Sequence, residues 1–285
     1  MSATGLAAKT SGALPARSAA RPTLATPVNT VIPANPVNAA AAASTPSQTG
    51  ATLAARIKPP RNQVLNQADW SVATAPRMAL VKRLRDKGIR SEAVLNAILR
   101  VPRERFIDEA LWSRAYQDDA LPIGHGQTIS QPFVVARMIE AILPSHGRFT
   151  RILEVGTGCG YQAAVLAQLA DEVYSIERIK ALYDKARANL RPLRIPNVRL
   201  ALGDGYLGLP EAAPFDAVIV AAAAPSLPMA LVQQLKRGGK MIIPVGSSEA
   251  GAAQQLKLID KRGMTVIEKQ LDLVRFVPML GGLVK

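Results

Sequence analysis

Residues Ile152–Gly160 read I-L-E-V-G-T-G-C-G, an apolar run entering a turn punctuated by three glycines, and Tyr161 resumes as a helix. No other stretch narrows the possible folds as far. A strand that feeds a glycine turn and then a helix is the opening of a βα unit, and repeated units of this kind build a parallel sheet covered by helices. The turn also carries chemical meaning. Gly156, Gly158 and Gly160 remove the side chains that would keep a ligand from the backbone N–H groups at the helix start. A dinucleotide fingerprint needs glycine at its first, third and sixth positions. Counting from Gly156, the sixth position is Tyr161, so the pattern is G-x-G-x-G with Glu154 two residues ahead. Read alone, the turn also fits, less well, a tight βα connection with no ligand.

The alternation continues downstream. Strands are expected near 151–155, 172–176, 198–202, 215–220 and 240–245, with helices near 161–169, 179–190 and 227–236. Gly238-Gly239 is read as the break between the last helix and a strand entered at Lys240. Gln255–Ile259 and Thr265–Val274 read as two late strands joined by a turn at Asp260–Gly263. Ahead of the sheet, two helices are expected between Met78 and Leu111, then a loop over Asp118–Gln131 and a helix from Phe133 to Leu143. The fold class is therefore α/β and Rossmann-like: a mainly parallel sheet with helices on both faces and a late antiparallel hairpin.

The first 76 residues belong to a different class of chain. They are rich in Ala, Pro, Ser and Thr, and carry six basic residues against one acid, Asp69. A segment so poor in large apolar side chains cannot offset its ordering entropy, so 1–76 is expected to be a disordered extension. An organelle transit peptide also fits its low acid content, but its prolines and lack of amphipathic period fit less well. Residues 77–285 then form one domain, with N-terminal helices and a loop over 77–132 and the sheet over 133–285. The net charge of +14 invites a nucleic-acid reading, yet the basic residues around Lys82–Arg90 have the spacing of a solvated helix face. With no recognition motif and only five Phe, five Tyr and two Trp, no specific nucleic-acid partner is expected. One cysteine and two histidines argue against a metal site and fit a reducing compartment. No apolar run reaches membrane-spanning length, so a soluble protein with no membrane partner is expected. It is also expected to be cytoplasmic and a monomer.

The G-x-G-x-G turn with an acid ahead of it resembles the S-adenosylmethionine loop of Rossmann-like methyltransferases. Glu177 ends the second strand 21 residues after Gly156, placed to accept hydrogen bonds from two ribose hydroxyls or to cap the next helix. Asp204, in Gly203-Asp204-Gly205 after the third strand, is placed to take an adenine amino group or only to shape a turn.

The loop ahead of the sheet, L-P-I-G-H-G-Q-T-I-S-Q-P (Leu121–Pro132), sharpens the resemblance. Together with V-P-R-E-R-F-I-D-E-A (Val101–Ala110), P-F-D-A-V-I-V (Pro214–Val220), G-G-K-M-I-I-P-V-G (Gly238–Gly246) and V-R-F-V-P (Val274–Pro278), it resembles the protein-L-isoaspartate O-methyltransferases. The likeness runs in order from Met78 to the C-terminus. It implies methyl transfer from S-adenosylmethionine, leaving S-adenosylhomocysteine, to the α-carboxylate of L-isoaspartyl residues in damaged proteins and peptides, which begins their repair to aspartyl. It implies no metal. Ser130 matches the family's active-site serine, and Thr128 and Ile129 match positions bordering the cofactor. Gly156, Gly158, Gly160, Glu177, Asp204 and Gly205 match its cofactor-binding positions, and Arg275–Pro278 a segment lining the peptide cleft. Ala221 departs from a common threonine and Ser226 from a common acid, and the long extension has no counterpart in short bacterial members.

Ser130 also fits a helix N-cap ahead of Pro132, and His125, between two glycines, is read as loop chemistry because this reaction gives it no proton to move. Two other readings stay open: a methyltransferase acting on RNA or a small molecule, and a non-enzymatic basic adaptor using the extension. The absence of an N-P-P-Y-like tetrapeptide or a Pro-Cys nucleophile counts against base methylation.

Overall fold

The computed structural model describes residues 74–285 apart from 248, 250, 251 and 264, so the expected disorder of 1–76 lies outside the described residues except at 74–76. Of those three, Thr74 precedes α1 (Ala75–Asp86), whereas Ala75 and Pro76 are its first residues and not part of a disordered extension; proline fits the first turn, where a missing N–H costs nothing. Helix α2 (Glu92–Arg100) is capped by Ser91, whose side chain accepts from the Val94 N–H. Helix α3 (Pro132–Ile142) buries Val134, Val135, Met138, Ile139 and Ile142, the spacing of one helical face.

Seven strands make the main sheet: β3 (Phe149–Val155), β4 (Ala170–Glu177), β5 (Val198–Leu202), β6 (Phe215–Val220), β7 (Leu235–Val245), β8 (Gln254–Arg262) and β9 (Thr265–Val274). Their order is β5-β4-β3-β6-β7-β8-β9, parallel from β5 to β7 and antiparallel from β7 to β9. Helices α4 (Tyr161–Ala167), α5 (Lys180–Leu190) and α6 (Met229–Gln233) lie in the crossover connections. Ile152 and Leu153, adjacent on β3, belong to separate hydrophobic clusters, as alternation across a sheet covered on both faces demands. The chain runs from β3 outward to β4 and β5, then returns to the other side of β3 as β6. That reversal opens a crevice at the carboxyl ends of β3 and its neighbours, where open α/β sheets bind ligands.

Three expectations need correction. The helix expected over 227–236 shortens to Met229–Gln233, and β7 already begins at Leu235. Gly238-Gly239 lies inside that strand: a Cβ on Gly239 would come within 2.9 Å of the Lys236 carbonyl and 3.1 Å of the Asp216 carbonyl. The pair therefore marks an irregularity in the β6–β7 register, where glycine lets backbones approach, and not a helix stop. The loop over 118–131 contains a hairpin, β1 (Leu121–Gly124) paired antiparallel with β2 (Gln127–Ile129). Leu121, Ile123 and Ile129 point inward, and Gly124, His125 and Gly126 form the tip with φ of 96°, 54° and 67°. His125 is therefore a turn residue, as its flanking glycines suggested.

Among the described residues no helix is long and apolar enough to cross a membrane, and no group of His, Cys, Asp or Glu could hold a metal ion.

Candidate active site

A cavity occupies the crevice at the carboxyl ends of the parallel strands. One wall is the end of the hairpin, Gln127–Ser130, and another is the glycine loop, Gly156–Cys159. Glu177, Gly205 and Ala221 contribute from the ends of β4, β5 and β6, and Val277–Leu280 closes the remaining side. Most residues singled out from sequence thus converge: Thr128, Ile129, Ser130, Gly156, Gly158, Glu177, Gly205, Val277 and Pro278 all line it.

Gly160 does not. A Cβ there would meet Leu190 at 3.1 Å and Ala186 at 3.4 Å, and its φ is +89°, so it serves the turn and close packing of α5. Gly205 is constrained by space as well as by position, since a Cβ would lie 2.5 Å from Val155 Cγ1. Ala221 faces Gly156, where a Cβ would stand 3.5 Å from its own.

Glu177 is 5% exposed and holds two structures together. Its Oε2 accepts from Gly158 N–H at 2.9 Å, and Oε1 accepts from Arg178 and Ile179 N–H at 2.9 and 3.0 Å, just ahead of α5. An ionised carboxylate offers about four acceptor positions, so capping leaves capacity on the side that lines the cavity. Asp204 is placed differently. It does not line the cavity: Oδ1 accepts from Tyr206 N–H at 2.9 Å and Oδ2 from Gly282 N–H at 2.6 Å.

Ser130 lies between β2 and α3. The N-cap of α3 is Gln131, whose carbonyl accepts from Val135 N–H, and its second turn position, Phe133 N–H, donates to Asp118 Oδ1 at 2.8 Å. The capping explanation of Ser130 is thereby removed. Its hydroxyl lines the cavity and has no hydrogen-bond partner among the described residues.

The contacts of two buried residues were missed from sequence, although Glu154 was noted there as the acid ahead of the glycine turn. Arg103 is fully buried, with its guanidinium 4.9 Å over the Tyr161 ring and Nη2 donating to Asp119 O at 3.1 Å, while Nε and Nη1 have no partner. It joins the hairpin stem to the first residue of α4, and burial lowers its pKa. The V-P-R-E motif contained it, but nothing local says that it reaches residue 161. Behind the glycine loop, Glu154 is fully buried, accepts from the Ser175 hydroxyl and leaves Oε1 unpartnered. The Ser175 hydroxyl also meets Thr157 Oγ1 at 2.6 Å.

Burial pushes the Glu154 carboxyl from an ordinary 4.5 up to about 8, against the pull of the Ser175 hydrogen bond and with a further push from Glu177. Between those two values the folded chain holds a proton that the unfolded chain releases. Native stability from this group is therefore greatest below the unfolded value and falls as pH rises toward 8, by at most about 1.4 kcal/mol per pH unit. Glu154→Gln, permanently neutral, should flatten that loss. Melting curves from pH 5 to 8 check it, and parallel pH slopes for both proteins would contradict it.

The sequence profile of the protein-L-isoaspartate(D-aspartate) O-methyltransferase family matches residues 75–283. The chain belongs to that family. A protein-L-isoaspartate O-methyltransferase from Azoarcus sp. (strain BH72) is 56% identical over 214 residues, covering 75% of this chain and 97% of the relative. Another, from Ralstonia nicotianae, is 51% identical over 250 residues, covering 82% and 78%. A solved protein-L-isoaspartate O-methyltransferase superposes with a TM-score of 0.66 at 30% identity, over 73% of this chain and 67% of that one. A further family structure, from Plasmodium falciparum in complex with S-adenosyl-L-homocysteine, gives 0.60 at 29% identity over 72% and 98%.

Proposed function

We propose that the cavity between hairpin, glycine loop and C-terminal segment is where this protein-L-isoaspartate O-methyltransferase binds S-adenosylmethionine and presents an isoaspartyl carboxylate to it. The enzyme transfers a methyl group to the α-carboxylate of L-isoaspartyl residues, the first step of their repair. The observation that carries the residue assignment is the unpartnered Ser130 hydroxyl on the same cavity wall as Thr128, opposite the glycine loop.

The residues present fit the cofactor. Gly156 and Gly158 keep the backbone bare, Gly205 admits no side chain, and Glu177 offers a carboxylate edge suited to ribose hydroxyls. Tyr161 and Gln162, both lining the cavity, each carry a buried polar atom without a partner. When bound, S-adenosylmethionine supplies an electrophilic methyl group on a sulfonium sulfur.

A carboxylate is already ionised and nucleophilic near neutral pH, so the chain needs no general base. Its task is to hold the carboxylate in line and to keep water out. Ser130 donates one hydrogen bond to the carboxylate, and Ile129, Val277 and Pro278 make the adjoining wall apolar. The residues that line the cavity come from elements of one chain, so the site is complete without a second copy, which supports action as a monomer on isoaspartyl proteins and peptides.

Ser130→Ala should lower turnover by about one to two orders of magnitude, the loss of a hydrogen bond to a charged group. The melting temperature should hardly move, since the hydroxyl holds nothing else. Methyl transfer to an isoaspartyl peptide, measured beside melting of the same protein, tests both. Normal turnover would remove Ser130 from the site.

A further inference from the structure

Arg103 is fully buried, does not line the cavity, and has no part in the methyl transfer described above. Among the described residues no carboxylate forms an ion pair with it, and its Nε and Nη1 have no hydrogen-bond partner. The acids nearest to it in sequence and space are engaged elsewhere. Glu104 accepts from the Tyr116 hydroxyl, and Asp118 pairs with Lys87 and accepts from Phe133 N–H. A buried charge without a counter-ion costs stability, and stacking on Tyr161 with one bond to Asp119 O offsets only part of that cost. An apolar side chain of similar length would fill the same space without it. What the guanidinium adds is a connection.

That connection joins two walls of the cavity. Asp119 stands two residues ahead of β1, whose partner β2 ends at Ile129, next to Ser130. Tyr161 opens α4 directly after the glycine loop and lines the cavity. Arg103 holds both: Nη2 donates to Asp119 O at 3.1 Å, and the guanidinium lies 4.9 Å from the centroid of the Tyr161 ring. Phe106 packs edge-on against the same ring, with centroids 5.6 Å apart. Farther along β1, Ile123 rests on the glycine loop, where a Cβ on Gly158 would come within 3.2 Å of Ile123 Cδ1, and Ile123 O accepts from Lys185 Nζ at 2.9 Å. The hairpin is thus fixed at its stem by Arg103 and farther out by Ile123 and Lys185.

We propose that Arg103 is a positioning residue for the reaction. Through Asp119 and Tyr161 it holds the hairpin, and with it the Ser130 hydroxyl, in place over the glycine loop, so that the isoaspartyl carboxylate meets the methyl donor in line. The inference rests on the assignment of Ser130 above. A guanidinium suits this task because its planar fork lies on a ring face and donates to a carbonyl at the same time. An ammonium is a strongly hydrated point charge on a flexible stem and does not replace it.

Arg103→Met, Arg103→Lys and Tyr161→Leu test this in the full chain. Four quantities are read on each protein: turnover of an isoaspartyl peptide, its labelling relative to the aspartyl twin, S-adenosylhomocysteine affinity, and melting temperature. Arg103→Met should lower turnover about tenfold, less than the hundredfold that a displacement of about 1 Å can cost, and should narrow the isoaspartyl preference. Cofactor affinity should hardly change, and the melting temperature should hold or rise, because an unpaired buried charge is gone. Arg103→Lys should lose turnover as Arg103→Met does, and melt lower. The Ser130→Ala/Arg103→Met double variant should be no slower than Ser130→Ala, because both act on the same bond. Normal turnover in a folded Arg103→Met protein would overturn the proposal. A lower melting temperature with the isoaspartyl preference intact would also overturn it and make Arg103 scaffolding. Should Arg103→Met fail to fold, Tyr161→Leu decides, since it keeps the charge and removes the ring; an unchanged isoaspartyl preference there would overturn the proposal. Normal turnover in Ser130→Ala would overturn the serine assignment and Arg103's action through it, whereas slow Ser130→Ala beside normal Arg103→Met would overturn this inference alone.

Discussion

An isoaspartyl peptide is expected to accept labelled methyl at least about a hundredfold faster than its aspartyl twin, a difference of about 2.7 kcal/mol in the barrier. The two peptides have the same atoms. They differ by one methylene moved between backbone and side chain, which shifts the carboxylate relative to the chain that carries it. Both carboxylates are ionised near neutral pH and equally nucleophilic, so chemistry alone gives no preference. Alignment does, because a displacement of about 1 Å in an in-line reaction can cost about a hundredfold. In the proposed site, the Ser130 hydroxyl and the apolar side chains of Ile129, Val277 and Pro278, which line the same cavity, would fix one carboxylate position. Equal labelling of the twins would contradict that alignment. Labelling of RNA in their place would favour the alternative substrate class.

Glu177→Ala should weaken S-adenosylhomocysteine binding by about a hundredfold, and more than loss of a ribose contact is involved. The wild-type carboxylate accepts from Gly158, Arg178 and Ile179 N–H groups. Removing it strands those donors at a cost of about 1–3 kcal/mol for each one buried from water. The glycine loop and the start of α5 should loosen together, so melting temperature and affinity fall together. Glu177→Gln keeps the shape and one acceptor oxygen but turns an NH2 toward one set of donors, and should fall between. Calorimetry with S-adenosylhomocysteine and thermal melts separate the contributions. Unchanged affinity in a folded Glu177→Ala protein would leave Glu177 with capping alone.

The parallel sheet was legible because its central strands are buried on both faces and read as apolar runs, as in Ala217–Val220. Glu177 and Gly205 were legible for a related reason: they stand where those runs stop. The hairpin was read as a loop because its strands are only four and three residues long, too short for periodicity to register. Asp204 was located correctly, yet the bond that defines it comes from 78 residues away. Arg103 shows the same limit, since its partner is an aromatic ring on another element. Local pattern identifies which residues stand at strand ends; it does not say which distant backbone returns to meet them.

The chain's only cysteine has its own significance. Cys159 sits within the glycine loop, 3% exposed, on the cavity wall, and burial pushes its thiol up to about 11 despite the nearby Arg103. At neutral pH very little of it is thiolate, the form that alkylating reagents attack. Its modification must therefore wait for the loop to part from its surroundings. A single mass increment on this sulfur then acts as a clock for breathing of the cleft, read without any added probe or engineered residue. Any ligand that fills the cleft and ties down the loop would slow the clock in proportion to its occupancy.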